Sequence, residues 1–221
     1  MPTTMVASNS VGMTRRRVLQ SAALSALWLE AAERWAFAAE PTAPPPISFA
    51  DVVHRRAMIR SYKNDPVPDD KLQRLFEYAT RAPSGGNLQP WEFIAVKSPD
   101  GRAKLAEATG KQTSVVTAPV LIVTCADIQR AGKSGARGSF FSLVDTAFAS
   151  LLILLGAVEQ GLGACFVGSY DPEAVAKQLG LPDYIRPVGL ITLGFPAERP
   201  QKPKTAKLPL SKVVHQEKWS R

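Results

Sequence analysis

Two short segments carry side chains whose types and spacing could do chemistry. Arg55, Arg56 and Arg60 lie within six residues, just ahead of the proline-flanked turn Asp65-Pro66-Val67-Pro68. Guanidinium groups hold phosphate through paired hydrogen bonds, so this segment reads as an anion clamp. It reads equally as the solvated basic end of a helix. The second segment is Ala82-Pro83-Ser84-Gly85-Gly86-Asn87-Leu88-Gln89-Pro90-Trp91. Pro83, Ser84 and the two glycines permit a loop that brings backbone close to a ligand. Asn87 and Gln89 offer both donors and acceptors, as needed to read the edge of a heterocycle. A plain helix-to-strand turn is the alternative.

Several other chemistries are missing. No Walker A loop, His-Glu-x-x-His, Cys-x-x-Cys or Gly-x-Ser-x-Gly elbow occurs. Gly161-Leu162-Gly163 lacks a glycine three positions on, so it fails the dinucleotide fingerprint and reads as a tight turn into a strand. Two cysteines, Cys125 and Cys165, and two histidines, His54 and His215, leave no zinc site of ordinary spacing and no disulfide scaffold. The 221 residues suit one domain, and 45% hydrophobic with 21% charged residues excludes a disordered or collagen-like chain. A net charge of +8 favours anionic partners. No nucleic-acid motif or interleaved aromatics accompany it, so no nucleic-acid partner is expected.

These segments need elements to position them. Ser48 with Asp51 predicts a helix from Phe49. Asp69 or Asp70 is expected to cap the next, with Leu72, Leu75, Phe76 and Ala79 on its apolar face and its end before Pro83. Trp91 to Val96 reads as a strand, Arg102 to Ala108 as a short helix, and Val120 to Thr124 as a buried strand. A Gly-rich basic loop is expected at Gly132 to Gly138. Ser139 to Gln160 is the longest apolar element, charged only at Asp145 and Glu159. Such a helix must be covered all round, by the domain or by a second subunit. Ala164 to Val167 and Val188 to Leu193 read as strands, and Asp171 caps a helix from Pro172 to Leu179. Arg199 to Lys212 reads as a basic, proline-rich arm. Helices and strands mix without strict βαβ alternation, which predicts an α+β domain with a small sheet over residues 48–221.

Taken together, Arg56-x-x-x-Arg60-x-Tyr62 and Ala82-Pro83-Ser84-Gly85-Gly86-Asn87-x-Gln89-Pro90-Trp91-x-Phe93 resemble the FMN-dependent nitroreductase family. Further matches follow in order: Asp145 in the apolar helix, Gly161 to Gly168, Pro187 to Leu190, and Leu193 to Pro196. The resemblance implies an interlocked α+β homodimer with a mixed sheet flanked by helices and two FMN sites at the subunit interface. It implies that Arg56, Ala57 and Met58 grip the FMN phosphate and ribityl chain. Met58 stands where many members have serine. Arg60 matches the cation beside the pyrimidine edge of the flavin. Pro83, Ser84 and Gly85 match the loop under the ring from the partner subunit, and Asn87 the amide at the ring edge. Val167, Gly168 and Ser169 fall where a backbone amide meets flavin N5. Lys204 and Lys207 fall where a C-terminal cation reaches the FMN phosphate. The implied reaction has two steps: a donor such as NAD(P)H passes hydride to FMN, and a nitroaromatic, quinone or related acceptor then takes it. The flavin does the chemistry, and no catalytic side chain or metal is called for. Reductive dehalogenation, flavin breakdown, or flavin binding without turnover are the alternatives within the same fold.

The N-terminus carries a separate signal. Arg15-Arg16-Arg17 precedes an uncharged apolar run, Val18 to Leu29, and Ala36-Phe37-Ala38 offers a small-x-small cleavage site. That order resembles a twin-arginine leader over residues 1–38, followed by a Pro-rich linker, residues 39–47. The run of 12 residues is short of the about 20 a membrane span needs, so no stable anchor is expected. Loss of the leader removes four basic and two acidic residues, leaving +6. A working leader predicts a periplasmic or exported protein, and otherwise a cytoplasmic one; since NAD(P)H is a cytoplasmic donor, either the donor differs or the leader is not a working signal.

Overall fold

The computed structural model describes residues 47–130, 135–197 and 206–220. The expected leader, Lys204, and all of the linker except Ile47 lie outside the described residues. The domain from Ile47 onward is described by itself.

Helix α1 (Phe49–Arg55) starts as expected: the Ser48 hydroxyl accepts the Asp51 amide at 3.1 Å. Helix α2 (Asp69–Ala79) is capped differently. Pro68 holds the cap position, with φ −58° and no side-chain bond, and Asp69 and Asp70 sit in the first turn. Their negative charge favours the amide end of the helix without capping it. Leu72, Leu75 and Ala79 are buried on its inner face. Strand β1 (Trp91–Val96) follows. Helix α3 (Pro99–Ala108) begins a turn earlier than expected, because Ser98 caps it and Pro99 suits the first helical position.

A short helix α4 (Thr113–Thr117) has no counterpart in the sequence reading. Its Thr-Ser-Val-Val-Thr run is rich in β-branched residues and favours a strand by propensity; the buried Ser114 and Val115 hold it helical. Strand β2 (Val120–Asp127) runs on past Thr124, which places Cys125 inside it. Helix α5 (Gly135–Glu159) takes in the C-terminal half of the expected Gly132–Gly138 loop. Strand β3 (Gly163–Val167), helix α6 (Pro172–Leu179) and strand β4 (Ile185–Gly194) complete the domain. Asp171 caps α6 as expected, accepting the Glu173 and Ala174 amides.

The sheet has the order β1-β2-β4-β3. All three pairings are antiparallel. Among the described residues, the parallel component expected of a mixed sheet is confined to one isolated bridge, Met58 to Ala164. Period-2 alternation sorts the strands between two cores. Val120, Ile122, Ile191 and Leu193 pack with α2 and α5 on one face. Leu121, Val123, Cys165, Val167 and Leu190 pack with α3, α4 and α6 on the other.

The inner face of α5 also carries Ser142, Thr146 and Ser150, all buried. Each donates its hydroxyl to the carbonyl four residues back, at 3.0, 2.8 and 2.8 Å, so none is left unpaired. The outer face is apolar and exposed within one chain: Phe140, Phe141, Phe148 and Leu151 reach solvent. The helix is long and apolar enough to cross a membrane by length and composition. Here it packs along all four strands and α2.

Candidate functional site

The candidate residues fall into two groups on one chain. The first is the loop between α2 and β1. It leaves α2 through a turn, the Ala82 amide bonding to the Ala79 carbonyl at 3.1 Å, and forms a single 3₁₀ turn at Gly85–Asn87. Three of its residues are left-handed: Gly86 at φ 58°, Asn87 at 56° and Gln89 at 50°. Glycine accepts this freely; Asn87 and Gln89 each store about 1–2 kcal/mol of backbone strain. Something must therefore hold them. The Gln89 amide donates to the Ser84 hydroxyl at 3.0 Å, and the Gly85 amide donates to Asp145 Oδ2 at 3.1 Å. Arg130 donates to the Gln89 carbonyl and pairs with Glu92 and Asp127. The Asp127 amide closes the exit by bonding the Pro90 carbonyl at 2.7 Å.

The loop's two amide side chains are bonded to each other. Gln89 Nε2 donates to Asn87 Oδ1 at 3.1 Å. In that arrangement Asn87 Nδ2 stays a donor and Gln89 Oε1 an acceptor, which is the pattern that reads a carbonyl beside an imide N–H.

The second group lies against the opposite edge of the sheet. The Ile59 amide donates to the Ala164 carbonyl at 3.0 Å, which lays the Met58–Tyr62 strap on β3. The strap turns past the end of β4, where the Lys63 amide meets the Phe195 carbonyl at 2.9 Å. Tyr62 pins it: the buried phenol bonds the Ile59 carbonyl and Thr192. Burial pushes that phenol far above its ordinary value. Arg56 and Met58 are half-buried, Ala57 likewise, and Arg60 is exposed. Arg60 lies beside the Cys165 thiol. Burial raises that thiol, and the guanidinium partly offsets the rise. Two residues on, β3 ends at Val167, and Gly168 and Ser169 emerge exposed. Gln112 Nε2 holds the Ser169 carbonyl at 2.8 Å.

Along the sheet the two groups are offset: the loop enters β1 at Trp91, level with Ala126 near the end of β2, whereas the strap pairs with Ala164, level through Leu193 with Val120 at its start, and β3 stops between them, level through Leu190 with Val123. They sit on opposite edges, with β2 and β4 between them, and the edge strands themselves are three strand spacings or about 14 Å apart. Lys207 is exposed on the C-terminal segment, and among the described residues no hydrogen bond joins it to either group. The site residues are therefore brought together in two halves rather than in one.

Two glycines mark both halves. Gly163, Gly189 and Gly194 are required by packing, since a Cβ there would fall within 2.8 Å of Ile59, Phe166 or Pro119. Gly86, Gly110, Gly161 and Gly180 have positive φ. Gly85 and Gly168 have neither reason: φ is ordinary and a Cβ would meet nothing closer than 3.9 Å. Backbone kept bare at an exposed position suits the close approach of a flat ligand.

Asp145 and Arg130 were not among the expected site residues. Asp145 stood out in the sequence as a charge in an apolar helix and as a match to the family pattern, without a role, and nothing local joins it to Gly85, 60 residues away.

The chain is similar to known proteins in both sequence and fold. The model of the Nitroreductase family matches residues 53–127 and 108–195. The chain is 35% identical to an NADH dehydrogenase of Thermus thermophilus, over 72% of this chain and 91% of that protein. It is 30% identical to an FMN reductase [NAD(P)H] of Bacillus subtilis, over 73% of this chain and 70% of that protein. Among solved structures, the hypothetical oxidoreductase YcnD of Bacillus subtilis superposes with a TM-score of 0.72 at 29% identity, covering 78% of this chain and 74% of that one. A nitroreductase family protein of Clostridium difficile gives 0.71 at 27%, covering 78% and 100%. With the loop, the strap and the end of β3 all inside the matched region, this chain belongs to the nitroreductase family and is an oxidoreductase.

Proposed function

We propose that the chain is an NAD(P)H-dependent reductase that holds one FMN between two copies of itself. The observation that carries this reading is the pair of bare glycines, Gly85 and Gly168, one in each half of the site. FMN is the cofactor, and when bound it takes hydride from NAD(P)H and passes it to an acceptor. The donors in the two halves suit that group. Arg56 supplies a cation for a phosphate and Arg60 one for the pyrimidine edge, where negative charge gathers on reduction. The Gly168 and Ser169 backbone lies open beside β3, and the loop offers a bare backbone face with the Asn87–Gln89 amide pair at its rim.

Two strands separate the halves within a chain, so contact of both with one ring comes from two chains. The exposed apolar face of α5 supports a homodimer, because Phe140, Phe141, Phe148 and Leu151 gain cover against a second copy. The C-terminal segment, with Leu208, Leu210 and Val213 exposed, has the same need, and docking it on a second copy would bring Lys207 toward the FMN phosphate. Nitroaromatics, quinones and related electron-poor aromatics fit as acceptors, since they stack on a flat ring. The Arg15–Arg17 pattern and the apolar run after it support export, which N-terminal sequencing of secreted protein tests directly.

The test of the reading is the visible spectrum of the purified chain. A flavin band released by heat as FMN, bleached by NADH or NADPH and restored by a quinone, is the expected result. Colourless protein that takes up no added FMN overturns it.

A further inference from the structure

Two charged side chains outside the ligand-facing set converge on the loop. Asp145 reaches it from α5, and Arg130 from the end of β2. Arg130 lies just past the end of β2 and Asp145 ten residues into α5. Asp145 is 6% exposed, and its Oδ2 accepts the Gly85 amide at 3.1 Å. Placing a carboxylate on the buried side of an otherwise apolar helix is unfavourable unless it is bonded, so the bond to Gly85 is the reason for the residue. Arg130 spreads one guanidinium over three acceptors. It donates to the Gln89 carbonyl, pairs with Glu92, and lies 3.3 Å from Asp127 Oδ2. Asp127 in turn accepts the Gln129 and Arg130 amides at 2.9 and 3.0 Å, which fixes the turn that carries Arg130.

The two anchors bracket the strained residues. Gly85 precedes Asn87, and Gln89 is the last left-handed residue before β1. Released from both, Asn87 and Gln89 would relax to negative φ, and their side chains would leave the paired arrangement. We infer that Asp145 and Arg130 are positioning residues that clamp the Ser84–Gln89 loop from both ends and thereby set the donor and acceptor pattern the Asn87–Gln89 pair presents to the ring. The inference rests on the reading of the loop as part of an FMN site. It adds that the presentation of the amides is controlled by two residues that do not touch the ligand.

The experiment has two arms on the full chain. In the flavin-free protein, hydrogen exchange at the Gly85 and Gln89 amides is followed by NMR for the wild type, Asp145→Ala, Asp145→Asn, Arg130→Ala and Arg130→Lys. In the second arm, FMN is titrated into each and the dissociation constant and visible band are recorded. Loss of one charged hydrogen bond predicts about tenfold faster exchange at Gly85 in Asp145→Ala, and a rise in the FMN dissociation constant of similar size. Asp145→Asn keeps an acceptor and restores most of both. Arg130→Ala acts on Gln89 in the same way, and Arg130→Lys restores part, since an ammonium cannot span all three acceptors. Should Asp145→Ala fail to fold, Arg130→Ala at the surface and Asp145→Asn carry the test. Unchanged exchange in these variants overturns the clamp. Faster exchange with unchanged FMN affinity and band shows a clamp that does not position amides for the ring, and also overturns the inference. A wild type that binds no FMN, whatever its exchange, overturns the FMN reading and with it the role assigned here.

Discussion

The loop at Ser84–Gln89 and the strap at Met58–Tyr62 are both irregular, and both carry candidate site residues, yet they are held by opposite means. The loop is held by side chains from distant elements, Asp145 and Arg130, and its own backbone is strained at Asn87 and Gln89. The strap is held by backbone pairing with β3 and by a buried phenol that bonds both its own chain and β4. The loop therefore offers backbone and neutral amides in a set geometry, while the strap offers cations on long, adaptable side chains. A ring needs the first kind of contact along its edge and face; a phosphate or a delocalised negative charge is served by the second.

That difference predicts where substitution costs stability and where it costs binding. The largest effect on stability is expected for Gly163→Ala. Its Cβ would fall 2.8 Å from Ile59 Cγ2 and 2.9 Å from Ile59 Cβ, so the strap must shift at a cost of about 1–3 kcal/mol. Urea denaturation checks this, beside Gly85→Ala and Gly168→Ala, which should stay within about 0.5 kcal/mol of wild type while losing FMN affinity. Equal destabilisation of all three would erase the distinction between packing glycines and ligand-facing ones.

Next comes Tyr62→Phe, which leaves the Ile59 carbonyl and Thr192 without the phenol. A loss of about 1–2 kcal/mol is expected, with the loop's hydrogen exchange unchanged. A loosened loop in that variant would mean the two halves are coupled within one chain.

The cysteines give a pH-dependent contrast. Burial pushes the Cys125 thiol from 9.0 up to about 12, with Glu92 adding to the rise. The folded chain thus keeps its proton where the unfolded chain loses it. Stability from this group is whole below pH 9 and is lost as pH rises from 9 toward 12. Cys125→Ala should flatten that alkaline decline in a pH series of melts. Cys165, with Arg60 beside it, should alkylate faster than Cys125 in the native protein, and mass spectrometry of each thiol reads the order.

The smallest shift separates the two cations. If Arg60 serves the pyrimidine edge as proposed, Arg60→Ala should lower the flavin potential by on the order of 20 mV, a small shift because solvent screens an exposed charge. Lys207→Ala should weaken FMN binding with little change in potential. Potentiometric titration of both checks the pair, and the reverse pattern would exchange their assignments.

Local signals were legible in the sequence and distant ones were not. The loop showed itself through Pro83, Gly85, Gly86 and Asn87, because turn chemistry is written within a few residues. Ser48 and Asp171 announced their helices for the same reason. Asp69 misled because Pro68 with φ −58° already holds the cap position. Helix α4 was missed because propensity favours a strand there and tertiary packing decides. The pairing of Met58 with Ala164, and the reach of Asp145 to Gly85, join residues far apart in the chain. Periodicity and spacing carry no trace of such contacts, and the family resemblance supplied the roles of the residues without showing what holds them.

The central claim is that loop and strap of different copies complete one FMN site. It is tested most directly by complementation. An Arg56→Ala chain, defective in the strap, and an Asn87→Ala chain, defective in the loop, are unfolded together in equal amounts and refolded with FMN. Half of the dimers should be mixed, and each mixed dimer should carry one site built from two intact halves. The account predicts recovery of about one quarter of the wild-type FMN capacity, from near zero in either variant refolded alone. No recovery above the single variants, with mixed dimers demonstrably present, would place both halves of the site in one chain and contradict it.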